Sequence, residues 1–237
     1  MPRSLELRGV TKRYPNGAGG AIDVDLEVGV GEFVALFGPS GSGKTSQLHM
    51  VGLLQRPDSG EVWIDGDRVD DVSEGAAAKL RRTKLGYVFQ SASLLTLASA
   101  RENVDVSLRL NGQRGSDARQ KVEAVLASVG MGARMDHRPD EMSGGEQQRV
   151  AIARALVHEP AYLLADEPTG ELDTQTGSDI LQMLKDIASE GTTVVMATHD
   201  PKAIEFVDKA YFVESGSLHE PRRDELELWL TEGTEFT

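Results

Sequence analysis

The stretch FVALFGPSGSGKT (33–45) limits the possible folds of this chain more than any other. Five consecutive apolar residues give way at once to a glycine-rich loop ending in Lys-Thr. An unbroken apolar run of that length reads as a strand buried on both faces, the kind found in parallel sheets covered by helices. Gly38-Pro39-Ser40-Gly41-Ser42-Gly43-Lys44-Thr45 matches G-x-x-x-x-G-K-[ST]. Its glycines let successive backbone N–H groups wrap a phosphate, and the helix that follows, predicted from Lys44 to Leu54, adds favourable potential for an anion. Lys44 is placed to reach β- and γ-phosphates, Thr45 to offer its hydroxyl to Mg²⁺, and Ser46 to bond the α-phosphate. A glycine turn with a chance Lys-Thr is the bland alternative; the order strand, loop, helix argues against it.

The rest of the chain agrees with an α/β fold. Short apolar runs recur at YVF (87–89), YLLA (162–165), VVMA (194–197) and YFV (211–213), several of them separated by helical segments. That is the pattern of a mostly parallel sheet flanked by helices. The N-terminal part differs. LEL (5–7) alternates, and so does AIDVDLEV (21–28), with Ile22, Val24, Leu26 and Val28 expected on one face of an antiparallel strand. Asn16-Gly17 and Gly19-Gly20 mark the turn between them. No strand signal occurs between about 91 and 141. There Ala118, Val122, Val125, Leu126 and Val129 form a helical stripe that Gly130 would stop. We therefore expect one domain over 1–237: a core of about 1–90 and 158–222, a helical lobe inserted at about 91–157, and a tail at 223–237. In that tail Leu226, Trp229 and Leu230 would pack on the core.

Bulk properties exclude several function classes. There is no cysteine, so neither a disulfide framework nor a thiolate metal site is possible. The 38 acidic residues outnumber the 25 basic ones, for a net charge of −13, which argues against nucleic acid as a partner. No apolar run approaches the ~20 residues of a membrane span, and MPRSLELRGV lacks the apolar core of a signal peptide. A soluble, cytoplasmic chain is expected, able to dock on a membrane protein.

Asp166-Glu167 ends the apolar run 161–165. A carboxylate at the C-terminal end of a parallel strand faces the ligand crevice. Asp166 would hold Mg²⁺, and Glu167, pointing elsewhere, would orient the water that attacks the γ-phosphate. A solvated acidic turn is the alternative for the pair alone. Gln90 and His199 also follow strand-like runs, placing them on the same side of the sheet. Gln90 would ligate Mg²⁺ or water, and His199 would bond the γ-phosphate; a lone Gln or His is more often structural, and here position argues otherwise.

A second helix opens on glycine in MSGGEQQRVAIARA (142–155). Ser143 and Glu146 have the S-x-x-E spacing of a capping box. Val150, Ala153, Leu156 and Val157 lie behind it at helical spacing, so the stretch is at least a well-capped core helix. Arg149 reads as structural.

These motifs, in this order, resemble the ATP-binding subunits of ABC transporters over about residues 4–220. MSGGEQQRVAIARAL is similar to the family signature, LLADEPTGELD (163–173) to the Walker B strand and D-loop, TKLGYVFQ to the Q-loop and MATHD to the switch histidine. Tyr14 in KRYPNG matches the aromatic that stacks on adenine. GEFVALFGPSGSGKT, LRRTKLGYVFQ, DHRPDEMSGGEQQRVAIARALV and LLADEPTGELDTQTG most resemble the ATPases of lipoprotein release, macrolide efflux and the cell-division-associated permease. Met142 stands where Leu is usual, and Glu171 where a small or neutral residue is common. In SLLTLASARENV (93–104), Thr96 and Leu97 replace a usual Pro and Thr in the region expected to meet the permease.

The resemblance implies an ATPase with ATP and Mg²⁺ that works as a homodimer on an integral membrane permease, peripheral to the inner face of the cell membrane. Ser143, Gly144 and Gly145 of one subunit would close over the ATP held by Lys44 of the other, with Asp173 crossing the same interface. The rival class is a non-transport ABC ATPase acting on a soluble macromolecular assembly. DNA-repair and chromosome-organising members place a very long coiled coil between the Q-loop and the signature, and here that stretch is long enough for a helical lobe only. Translation-factor types carry two cassettes; this chain has one. A small-molecule kinase would need the phosphate loop but not SGGEQQ.

Overall fold

The computed structural model describes residues 4–15 and 19–222. The expected turn at Asn16-Gly17 and the expected packing of Leu226, Trp229 and Leu230 lie outside the described residues. Strand β3 (Phe33–Phe37) lies inside a six-stranded sheet ordered β10-β9-β3-β8-β7-β6. Its neighbours are β6 (Leu85–Val88), β7 (Tyr162–Asp166), β8 (Thr193–Thr198), β9 (Lys209–Glu214) and β10 (Ser217–His219). All pairings are parallel except β10 with β9. A second, antiparallel sheet is ordered β2-β1-β4-β5, from β1 (Ser4–Lys12), β2 (Ala21–Gly29), β4 (Ser59–Ile64) and β5 (Asp67–Arg68).

The continuous apolar runs are explained by two cores on opposite faces of the six-stranded sheet. Phe33, Ala35, Phe37, Leu163, Ala165, Val194 and Met196 pack with helices α3 (Ala100–Leu110), α4 (Ser116–Ser128), α5 (Gly144–Leu156) and α6 (Thr174–Ser189). The alternate residues Val34, Tyr162, Leu164, Val195 and Ala197 pack with helix α1 (Lys44–Val51) and the antiparallel sheet. Period-2 alternation sends successive side chains to opposite faces, so both parities must be apolar. Helix α2 (Glu74–Lys84) leads into β6.

Residues 91–141 contain no strand, as the sequence pattern implied. In α4, Ala118, Val122 and Leu126 are buried, and the chain turns at Gly130 with φ +79°. Two expectations need correction. Ile22 is 46% exposed while Ala21 is buried, because Asp23 adopts φ +50° and the pairing with β1 slips between Val10 and Lys12. This bulge shifts the phase of the first two residues relative to Val24, Leu26 and Val28. Helix α1 ends at Val51 rather than Leu54, since Leu53 takes φ +57°. No helix among the described residues is long and apolar enough to cross a membrane.

Candidate active site

The phosphate loop leaves the end of β3 and is wedged between two backbones. A Cβ at Gly38 would lie 2.3 Å from the Val213 carbonyl oxygen, and one at Gly43 would lie 2.0 Å from that of Gly20. Neither position tolerates a side chain. Gly41, by contrast, has nothing within 4 Å and faces open space. Ser42 is buried, with no hydrogen-bond partner for its Oγ. Lys44 is only 5% exposed; its Nζ donates to Gly38 O (2.7 Å) and Pro39 O (3.0 Å) and stands 3.6 Å from Glu167 Oε1. Burial holds its pKa below the ordinary lysine value, against the opposing pull of Glu167. A desolvated ammonium, an orphaned hydroxyl and an open glycine cradle together fit a polyphosphate.

Asp166 and Glu167 sit at the C-terminal end of β7. Asp166 Oδ1 accepts from Thr45 Oγ1 at 3.0 Å, and burial raises the Asp166 pKa more than this bond lowers it. Glu167 adopts φ +47°, a left-handed conformation costing on the order of 1–3 kcal/mol in a non-glycine residue. Its N–H donates to Ala197 O on the neighbouring strand (2.8 Å), and the turn points its carboxylate inward. Oε1 faces Lys44, while Oε2 meets His199 Nδ1 at 2.8 Å and His199 N at 3.3 Å. Gln90 completes the group: a Cβ on Gly170 would lie 3.5 Å from Gln90 Nε2 and 3.6 Å from Glu167 Cβ. Thus Lys44, Thr45, Gln90, Asp166, Glu167 and His199 converge. No cluster of three His, Cys, Asp or Glu able to hold a metal occurs among the described residues. The converging Thr45 hydroxyl and Asp166 carboxylate fit a hard cation that takes its remaining ligands from phosphate oxygens and water, as Mg²⁺ does.

On the other side of the loop a cavity of about 400 Å³ is lined by Tyr14, Gly19, Gly41, Ser42 and Ser215, among others. The Tyr14 hydroxyl donates to Gln55 Oε1 (2.5 Å) and lies 3.2 Å from Ser46 Oγ, which itself donates to Gly19 O (3.0 Å). These bonds anchor the Tyr14 hydroxyl beside the phosphate loop. An aromatic ring anchored beside a phosphate cradle can stack on a nucleobase.

Comparison with known proteins decides the family. The ABC transporter family model matches residues 22–170. The chain is 44% identical to the lipoprotein-releasing system ATP-binding protein LolD 2 of Caulobacter vibrioides, over 90% of this chain and 96% of that one. The chain belongs to the ABC transporter family. It is an ABC ATPase that binds ATP. It is also 41% identical to the macrolide export ATP-binding/permease protein MacB 1/2 of Paracoccus denitrificans, over 92% of this chain but only 33% of that protein. The chain thus spans about a third of the length of the macrolide export relatives it matches. Its structure superposes on the dimeric ABC transporter cassette MJ0796 of Methanocaldococcus jannaschii with TM-score 0.81 and 39% identity, covering 92% of this chain and 99% of that one.

The ABC signature stretch forms the start of α5. Glu146 N donates to Ser143 Oγ (3.2 Å) and Ser143 N to Glu146 Oε2 (2.9 Å), the reciprocal box foreseen from S-x-x-E. The Ser143 backbone N–H and side chain both hold the Glu146 carboxylate below its ordinary pKa. Arg149 donates to Val129 O at the C-terminus of α4, a structural role. Ser143, Gly144 and Gly145 are not brought to the phosphate loop of their own chain. The nearest groups to Cβ positions on the two glycines are Leu172 and Thr176, beside the N-cap Asp173. Sequence reasoning did not reach the Ser42 orphan, the Lys44–Glu167–His199 chain of contacts or the Thr176 contact. Only the last had a visible cue, the Asp-x-x-Thr spacing that suits an N-cap.

Proposed function

We propose that this chain is the ATP-hydrolysing subunit that drives a membrane permease of the lipoprotein-release or macrolide-export type, two copies closing around two ATP on the cytoplasmic face of the membrane. The observation that carries this reading is the split site. Lys44, Asp166, Glu167 and His199 share one end of the sheet, while Ser143 bonds Glu146 and Gly144 and Gly145 lie against Leu172 and Thr176 rather than against the phosphate loop. A two-fold arrangement turns each surplus half into the lid of the other copy's site. The dimeric relative and the relative named as an ATP-binding/permease protein support both partners.

In this scheme the amides of Gly41, Ser42 and Gly43 bind the phosphates with Ser40 and Pro39 shaping the loop. Lys44 exchanges its bonds to Gly38 O and Pro39 O for β- and γ-phosphate oxygens. Thr45, Gln90 and Asp166 would hold Mg²⁺, which when bound neutralises developing phosphate charge. Glu167, held by His199 Nδ1, accepts a proton from the attacking water and orients it. His199 then offers its ring to the γ-phosphate. Ser143 O–H and Gly145 N–H of the partner copy donate to that phosphate from the far side. The permease face is the groove of about 490 Å³ lined by stacked Tyr87 and Phe89, by Arg81, Arg82 and Arg154 and by exposed Leu110, together with the exposed Leu95 and Leu97 of the loop that follows β6. Glu167→Gln tests the scheme: it should bind ATP, lose hydrolysis by ~10²–10⁴-fold and elute as a dimer on size exclusion with ATP. Elution as a monomer at saturating ATP would refute the composite site.

A further inference from the structure

Helix α6 begins on a carboxylate whose two oxygens are both used. Asp173 Oδ1 accepts from Gln175 N and Thr176 N, each at 3.1 Å, and Oδ2 accepts from Thr176 Oγ1 at 2.6 Å. The Thr176 hydroxyl is also the leading cause that holds the Asp173 pKa below the ordinary carboxylate value. Thr176 is β-branched, so placing Oγ1 on Asp173 also places its methyl. That methyl is aimed at the second residue of α5: a Cβ on Gly145 would lie 2.3 Å from Thr176 Cγ2, with Thr176 Cβ at 3.7 Å and Oγ1 at 4.0 Å. Turning the Thr176 side chain to clear that space would take its hydroxyl off Asp173. Beside this contact, a Cβ on Gly144 would lie 3.4 Å from Leu172 Cδ2.

We propose that Thr176 is a positioning residue that meshes the Ser143–Gly145 backbone with Asp173 of the same chain, and that position 145 is glycine to seat the Thr176 methyl. This rests on the reading above, in which both segments face the ATP of a partner copy. The consequence is that the signature donors and the Asp173 carboxylate reach the partner as one rigid edge. Bulk at 145 and loss of the hydroxyl at 176 then produce the same defect by opposite routes.

Four variants of the full chain test this: Gly145→Ala, Thr176→Ser, the double Gly145→Ala/Thr176→Ser, and Thr176→Val. Gly145→Ala overpacks the contact and should lower the melting temperature by roughly 3–8 °C. In the Thr176→Ser background, where the methyl is gone and the hydroxyl kept, the same substitution should cost less than about 1 °C. Turnover of the double variant should exceed that of Gly145→Ala by roughly 10-fold or more. Thr176→Val keeps the methyl and drops the cap; its kcat should fall by roughly 10- to 100-fold with KM for ATP within about twofold, and Thr176→Ser should retain more kcat than Thr176→Val. Equal melting losses in both backgrounds would overturn the mesh. Coupled melting with a double variant as inactive as Gly145→Ala would overturn it too, since Gly145 would then serve the nucleotide rather than Thr176. A Thr176→Val defect confined to KM would remove the positioning role. A wild-type chain without ATPase activity would instead defeat the proposed function, and the melting cycle would still decide the mesh.

Discussion

Asn103 gives the sharpest link between a buried hydrogen-bond network and partner coupling. It is fully buried near the start of α3. Its Oδ1 accepts from Leu95 N (2.7 Å), and its Nδ2 faces Leu95 O (3.1 Å), Ala98 O (3.1 Å) and Ser99 O (3.0 Å). One side chain thus pins the loop that presents Leu95 and Leu97, which are 53% and 84% exposed. Replacing it with leucine keeps the volume and removes every one of these bonds. The two N–H groups of Nδ2 give two bonds' worth of about 1 kcal/mol net each, and orphaning the Leu95 N–H adds about 1–3 kcal/mol, so the variant should lose roughly 3–5 kcal/mol. For a chain of this size that is a fall of about 6–20 °C in melting temperature. Leu97→Ala, at a site with almost nothing to lose, should change it by less than about 1 °C. The assay pairs calorimetry on the isolated chain with ATPase stimulation by reconstituted permease. Both variants should lose stimulation, Asn103→Leu because the loop is no longer held and Leu97→Ala because the contact itself is gone. An Asn103→Leu chain that melts within about 2 °C of wild type would refute the idea that these bonds hold the loop.

Three further outcomes follow from the site and its surroundings. Asp166→Asn should melt higher than wild type at pH 7 while losing hydrolysis. The folded pKa of Asp166 is raised, so its ionised form is disfavoured in the fold above the ordinary value of 3.8; the advantage should vanish in melts run below that pH. His158 contacts Leu85 O through Nε2, and its Nδ1 is buried without a partner; burial lowers its pKa below 6.5. Above pH 6.5 both states are neutral there. Below it the unfolded chain takes the proton first, so stability should fall on acidification, and urea melts at pH 7.5 and 5.5 should show a smaller fall for His158→Gln. Ser143→Arg should leave nucleotide binding by the isolated subunit intact, measured by fluorescent-nucleotide titration, yet reduce turnover by at least ~10²-fold; surviving turnover would show that the signature does not reach the γ-phosphate.

The features legible in the sequence were those whose cause is local. Val34 and Leu164 face one core while Phe33 and Leu163 face the other, and a run apolar at both parities announces that without knowledge of partners. The Ser143–Glu146 box is written in a four-residue spacing. Ile22 misled because the bulge at Asp23 depends on pairing with β1, and a strictly alternating sequence carries no sign of it. β4, β5 and α2 went unread: β5 is two charged residues paired with β4, and α2 buries only Ala77. At the site, residue types were legible and contacts were not. That Lys44 lies against Glu167, or that a threonine methyl sets what position 145 can be, is decided between segments distant in sequence.

Strand order explains why those contacts take the form they do. β3, β8, β7 and β6 are successive neighbours, and their C-terminal ends carry Lys44, His199, Asp166-Glu167 and Gln90 respectively. Neighbouring strands stand about 4.8 Å apart, so the four strand ends span roughly 15 Å in a row. Glu167 meets His199 because β7 and β8 adjoin, and its turn is braced by Ala197 O of that same neighbour. Gln90 reaches the Gly170 side of the Glu167 turn because β6 flanks β7. The chain then runs from Gln90 directly into the loop that Asn103 pins and that carries Leu95 and Leu97 outward. A displacement of that loop by a partner therefore arrives at Gln90, beside the Glu167 turn, through fewer than ten backbone positions, while the loop cradle follows β3, three strands from β6. On this geometry a permease would alter the rate of hydrolysis more than the affinity for ATP, and the split between kcat and KM in the reconstituted complex is where that shows.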